Sequence, residues 1–308
     1  MNNTASHDVS VIDLSSGLVI QRIPLPDTPI VMAVHPSGHE LWVSSEGVHR
    51  LTVISIPDEW RDDPRNVPVL SEPGAPVTEV AVMGMIHASH RSSELWGLEQ
   101  VEQTIRSFAP DVVCAEIAPD RWERIERDLR VRDVIEDPRV QRFPEYTDLI
   151  LRLSAEAGFE IVPCAGWILE MSDLRNARIA EFVSDERWAG VRDEYERRLM
   201  EVGMQLGAPD GAEDDPVYIH SDAYDQRYKA TAALYDEYQN DMIGPGGWTN
   251  INVEHYRNVD RTIREYRGKR ILITFGAGHK YQLLERLRAR TDVLLVSPLD
   301  VLPLEANR

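Results

Sequence analysis

Two hydrophobic rhythms divide the chain. Residues 8–56 alternate apolar and polar positions in short runs, VSVIDL, LVIQRIPL, IVMAV, LWVSS and LTVISI, with turn clusters such as SSG and HPSGHE between them. Period-two alternation broken by Gly, Pro and Ser at intervals of about 8–12 residues predicts antiparallel strands. From Glu79 onward the rhythm changes. Continuous apolar runs (EVAVMGMIH, DVVCAEI, FEIVPCAG, KRILITFGAGH, DVLLVSP) alternate with segments of helical period, the first with apolar residues at Leu95, Leu98, Val101, Ile105 and Phe108. Buried strands between amphipathic helices predict an α/β fold, a mostly parallel sheet flanked by helices. Between the two rhythms, residues 57–78 hold five prolines and several acids without an apolar period, the pattern of a linker. The expected organisation is a small N-terminal antiparallel β segment at 1–60, a Pro-rich linker at 61–78 and an α/β domain at 79–308.

The α/β part is interrupted by a long, polar helical insertion at 168–242. Residues 193–225 carry ten acids against two arginines, which reads as a solvated helical face with an acidic loop at GAPDGAEDDP. Tyrosines 224, 228, 235 and 238 follow helical spacing and are expected to pack in a core. The Gly-rich IGPGGWTN reads as a plain connection.

Charge narrows the partners. With 52 acidic and 33 basic residues in 308, the net charge is −19. An excess of that size repels phosphate backbones and anionic lipid surfaces, so neither nucleic acid nor a membrane is an expected partner. A small-molecule or peptide substrate is, and the oligomeric state is left open. The start, MNNTASHDVS, has no basic or apolar leader character, and no stretch approaches the ~20 apolar residues that span a bilayer, so the expected location is cytoplasmic. Cys114 and Cys164 lie inside apolar runs and read as buried core residues.

Candidate chemistry sits at strand ends. Two strands close on the same signature, Gly84-Met85-Ile86-His87 and Gly276-Ala277-Gly278-His279. In open parallel sheets ligands bind beyond the carboxyl ends of the strands, and a glycine there lets the chain turn so that the next side chain projects over the edge. Glu116 follows the apolar run DVVCA, where an acid is costly unless it faces a cleft, a partner or a metal. Two imidazoles and a carboxylate suit zinc, manganese or cobalt with open positions for water. A structural ion pair of Glu116 with Arg121 or Arg257 is the competing reading. His90 is expected to be exposed, and His220 and His255 carry no assignment.

The words GMIHASHRSS and PDVVCAEIAPDRW, followed much later by EHYRNVDRTI and GKRILITFGAGHKYQLLERL, resemble the TraB/Tiki family, and more widely erythromycin-esterase-like and ChaN-like proteins, over roughly residues 79–308. That resemblance implies a metal-dependent hydrolase of peptide or ester bonds. It maps catalytic roles onto His87, Glu116, His279 and Arg257, metal ligation onto His87, Glu116 and His279, and substrate contacts onto Asn258 and, by helical spacing, Glu254. Water would be activated by a metal or by a histidine base, with Arg257 stabilising the oxyanion. A ChaN-like protein would instead bind haem or metal without turnover. The segment VSVIDLSSG to HPSGHELWVS resembles one blade of a YVTN-type β-propeller, with 51–56 opening the next. An interaction module built on that segment is the third possibility.

Overall fold

The computed structural model describes residues 2–3, 8–12, 19–26, 28–34, 40–45, 51–55, 76–132 and 134–302. Most of the predicted linker therefore lies outside the described residues, as do the SSG and HPSGHE turns. The chain divides into two units, Met1–Val69 and Leu70–Arg308.

In the first unit, strands β1 (Asn2–Asn3), β2 (Asp8–Ile12) and β3 (Val19–Pro24) form one antiparallel sheet, and β4 (Pro29–Val34), β5 (Glu40–Ser45) and β6 (Leu51–Ser55) form another. The blade-like grouping expected from the sequence, four strands and then a fresh start, is not the pairing seen. The ladder stops between β3 and β4, where Pro24, Pro26 and Pro29 remove the amide donors a continuing sheet needs. Val9, Leu25 and Val43 form a small shared core, with Ile23, Met32, Leu41 and Ile54 packed against it.

The second unit is α/β. Strands β7 (Thr78–Met85), β8 (Val112–Ala115), β9 (Glu160–Pro163), β10 (Arg270–Gly276) and β11 (Val293–Val296) make one sheet in the order β11-β7-β10-β8-β9, every neighbour parallel. Alternate residues serve opposite faces. Ala81, Met83, Val113 and Leu272 join one core with Val101, Ile105 and Phe108 of helix α1 (Leu98–Phe108), Ile125 of α2 (Pro119–Arg132) and Leu153 of α3 (Leu151–Ala157). On the other face Val80, Val82, Cys114, Ile271 and Ile273 meet the helices that follow the insertion. Because both faces are covered, the strands read as unbroken apolar runs, the reason they were legible.

The insertion comprises α4 (Leu169–Ser184), α5 (Ala189–Gln205), α6 (Pro216–Ile219), α7 (Asp222–Tyr235) and α8 (Asp241–Ile243). No residue of α5 is buried, as its highly charged composition predicts. Tyr224 is buried and stacks on Tyr228 with ring centres 4.7 Å apart, whereas Tyr235 and Tyr238 are half-buried. Helices α9 (Trp248–Glu265), α10 (Lys280–Arg288) and α11 (Pro298–Val301) complete the unit. Helix α1 begins later than its apolar period suggests. Gly97 is its N-cap, Gln100 Oε1 accepts the Gly97 N–H at 3.0 Å, and the preceding Trp96 is fully buried while Leu95 is 44% exposed. No helix among the described residues is long and apolar enough to cross a membrane.

Candidate active site

Sheet register assembles the site. Pairing of Gly276 with Met85 and of Thr274 with Ala115 brings the carboxyl ends of β7, β10 and β8 level, so that His87, Glu116 and His279 leave the sheet at one edge. His87 Nε2 lies 3.6 Å from Glu116 Oε2, and His279 Nε2 lies 3.9 Å from Glu116 Oε1. The three residues picked from strand ends do meet. Gly276 makes this possible: a Cβ built there would stand 2.6 Å from His87 Nε2 and 3.3 Å from Glu116 Oε2. A Gly276→Ala variant is therefore expected to push the imidazole off its position. If His87 acts on a substrate here, the variant loses about tenfold or more in turnover, measurable against wild-type at equal folded concentration; an unchanged rate would show that His87 has room to spare.

Each histidine is held by its other ring nitrogen. His87 Nδ1–H donates to Glu145 Oε1 at 2.7 Å, which leaves Nε2 as a lone pair, and the ring packs on Phe143 at 4.4 Å. Its backbone has φ +52°, a left-handed conformation that costs a non-glycine residue roughly 1–2 kcal/mol and that recurs at functional sites. His279 Nδ1–H donates to Asn252 Oδ1 at 2.8 Å, and the orientation of that amide is set because its NH₂ donates to the Trp248 carbonyl. Trp248 stacks on the His279 ring at 4.6 Å, so the Gly-rich segment read as a plain connection delivers a wall of the site.

Glu116 is 4% exposed and accepts the Gly276 N–H on Oε2 at 2.6 Å. Burial raises its pKa, but the nearby His87 and His279, the Gly276 N–H and Arg139 outweigh that, and the net direction is down, so it stays a carboxylate. For His87 the balance is the reverse: burial pulls the pKa down, while the Glu145 bond and the charges of Glu116 and Glu145 carry it above its ordinary value. Burial dominates at His279 and lowers it, against the pull of Glu116. Tyr146 braces the arrangement from below, its hydroxyl accepting the Glu116 N–H at 2.7 Å and donating to the Thr274 carbonyl. Glu145 and Tyr146 open a π-helical turn, Glu145–Ile150, a widened geometry common at functional sites.

The remaining sequence candidates are elsewhere. Arg257, expected to stabilise an oxyanion, is 56% exposed on α9 and pairs with Glu254 at 2.5 Å. Helical spacing put Glu254 on the face of Asn258, but its carboxylate turns to the exposed Arg257 while Asn258 turns inward. Asn258 Nδ2 donates to the Cys164 carbonyl at 3.3 Å, fastening the end of β9. The buried face of α9 presents Asn252 and His255 instead. His255 Nδ1 accepts the Gly166 N–H at 2.8 Å, so Nε2 carries the proton, is buried without a hydrogen-bond partner, and the ring stands edge-on to His279 at 4.8 Å. Polar residues at 252 and 255 within an apolar helical stripe were the signal that could have found this face.

His90 is corrected from exposed to 2% exposed: Nδ1–H donates to the Trp96 carbonyl and Nε2 accepts the Ile86 N–H. His220 plays the same part for Gly84, accepting its N–H at 3.0 Å, and burial lowers its pKa to about 4. Both are neutral structural histidines that tie down the end of β7. Arg121 pairs with Asp137 at 2.8 Å, so the competing ion-pair reading of Glu116 does not apply.

In kind, this donor set suits a divalent cation: two imidazole lone pairs and a carboxylate, each imidazole fixed by its distal N–H. In spacing it does not. The two histidines approach different oxygens, one of which already accepts a backbone N–H, and among the described residues no three His, Cys, Asp or Glu side chains close around one point. Comparison of the chain with protein-family models, curated proteins and solved structures finds no match.

Proposed function

We propose that this cleft hydrolyses an ester- or peptide-type bond, as the resemblance to TraB/Tiki and erythromycin-esterase-like proteins implies, with His87 as general base. One observation carries the reading: with His87 neutral, two Nε2 lone pairs and a buried carboxylate come together, each Nε2 within 3.6 or 3.9 Å of Glu116, and among the described residues no hydrogen-bond donor reaches either Nε2 or Glu116 Oε1. A water molecule supplies what they lack. It donates one hydrogen to His87 Nε2 and the other to Glu116 or His279, leaving an oxygen lone pair free to attack a carbonyl carbon. His87 takes the proton and returns it to the leaving group. The imidazolium formed between these steps is stabilised by Glu145 and Glu116, the same charges that raise the His87 pKa. His279, kept neutral, serves as an acceptor that turns the water. No step requires a metal.

The base works only when neutral, and its pKa is raised. Turnover is therefore expected to rise with pH through a midpoint above 6.5, the ordinary histidine value. Glu145→Gln keeps an acceptor for Nδ1–H but removes a charge, so the midpoint moves down and the plateau rate falls. The measurement is a pH–rate profile on whichever nitrophenyl ester, lactone or peptide responds in a screen, with and without a chelator. Absence of turnover across that screen, or a midpoint unmoved in Glu145→Gln, would sink the proposal. Loss of all turnover in chelator would transfer the reaction to a cation held by His87, Glu116 and His279.

A further inference from the structure

Beside the cleft lie two guanidinium groups that form no close ion pair among the described residues, although the Glu116 charge reaches Arg139 from a longer distance. Arg139 sits 5.7 Å from the Phe143 ring centre and 5.5 Å from that of Trp167, and Phe143 is the ring on which His87 packs. Arg175, on α4, sits 5.2 Å from the same Trp167 ring. Neither takes part in an ion pair among the described residues, although Arg121, Arg152, Arg197, Arg264, Arg270 and others in this acidic chain do. Arg175 Nε is buried without a hydrogen-bond partner.

Both positions are built. Asp137 Oδ1 accepts the N–H groups of Arg139 and Val140 at 2.9 and 3.1 Å, fixing the turn that carries Arg139. Arg175 packs where residue 246 has no side chain: a Cβ there would come within 2.8 Å of its Cβ. Trp167, 8% exposed, holds the two guanidinia by cation–π contact without neutralising either. The local field agrees. Burial lowers the Arg139 pKa, the Glu116 charge opposes it, and repulsion from Arg121, Arg175 and Arg142 adds to the lowering, so the guanidinium lies among other cations. A protein of net charge −19 that leaves two half-buried arginines unpaired at one aromatic residue beside its reactive groups has left room for a negative charge to arrive.

We propose that Arg139 and Arg175 form a subsite for an oxyanion, a phosphate or carboxylate group on the substrate, received beside the His87–Glu116–His279 cleft. The assignment of that anion to a substrate rests on the hydrolase reading; the anion site itself does not. Guanidinium groups offer planar, paired donors to such oxygens, and each charge-assisted contact is worth about tenfold or more in affinity.

The test is calorimetric titration of the full chain with inorganic phosphate, phenyl phosphate and benzoate at low ionic strength. Saturable binding is expected, weakened about tenfold or more in Arg139→Gln and in Arg175→Gln, partly recovered in Arg139→Lys, and unchanged in Arg187→Gln, an exposed arginine paired with Asp185. Preference for the phosphates assigns a phosphate group, and equal or tighter binding of benzoate assigns a carboxylate. No saturable binding of any of the three, or binding equal to wild-type in both glutamine variants, overturns the proposal. Since the readout needs no turnover, a chain that binds phosphate through these arginines but cleaves no ester keeps the anion site and loses the hydrolase.

Discussion

Replacing His87 by alanine is expected to slow hydrolysis by about 10²–10⁴-fold, the usual contribution of a positioned general base. The destination of the water's proton decides the size of the effect. Glu116 remains a carboxylate but is aimed at both imidazoles and accepts the Gly276 N–H; His279 faces the water with a nitrogen of lowered basicity. Neither replaces His87, whose basicity two carboxylates raise. The substitution also strands Glu145, which is fully buried and has Oε2 unpartnered even in the intact protein. A buried carboxylate that loses its one side-chain partner costs about 1–3 kcal/mol, more if it stays charged. The double variant His87→Ala/Glu145→Gln separates the two effects: melting temperature recovers and turnover does not. A single variant retaining more than a tenth of the wild-type rate would mean that another group is the base.

The second large effect concerns the support beneath His87. Trp96→Ala is expected to destabilise the α/β unit by about 3–5 kcal/mol, the range for truncating a buried aromatic residue. Trp96 is 0% exposed, donates from Nε1 to the Gly84 carbonyl at 3.0 Å, and receives the edge of the His220 ring at 5.7 Å. Its carbonyl also accepts from His90. With Gly84 N–H and Ile86 N–H capped by His220 and His90, three side chains together fasten the last turn of β7 before the strained φ of His87. Thermal melting should fall by roughly 10 °C or more for a unit of this size. Trp96→Phe, which keeps most of the volume and loses the hydrogen bond, should fall between. A loss under about 1 kcal/mol in the alanine variant would contradict the packing role argued from its burial.

The apolar strands of the α/β unit were legible in the sequence because both faces of the sheet are covered, and β7, β8 and β10 end where glycine or an acid interrupts the run. The same logic found His87, Glu116 and His279. Sheet order was not legible: nothing local says that β10 slips between β7 and β8. Glu145 gave no signal, since an acid after Pro144 at a helix start reads as an ordinary partner of the helix dipole. Arg139 lies in a turn of no regular period, and its value comes from forming no ion pair among the described residues, which only the folded structure reveals. Arg257 misled because a motif word fixes order along the chain but not which side of a helix meets water. In the N-terminal unit the strands were legible and their grouping was not, because alternation shows which residues face inward but says nothing of which strand pairs with which.

The place of β10 has a consequence for how the molecule comes to be folded. Glu79 and Arg270 lie in register and joined by an ion pair at 2.6 Å, although 191 positions separate them. Until β10 inserts, β7 and β8 have no common neighbour and each leaves an open apolar edge. Pairing at such separation is slow, and open edges invite association between chains. Refolding from denaturant should thus pass through a sticky, inactive species that outlives formation of the helices, and the last event to complete the sheet is the one that brings the two histidines to Glu116.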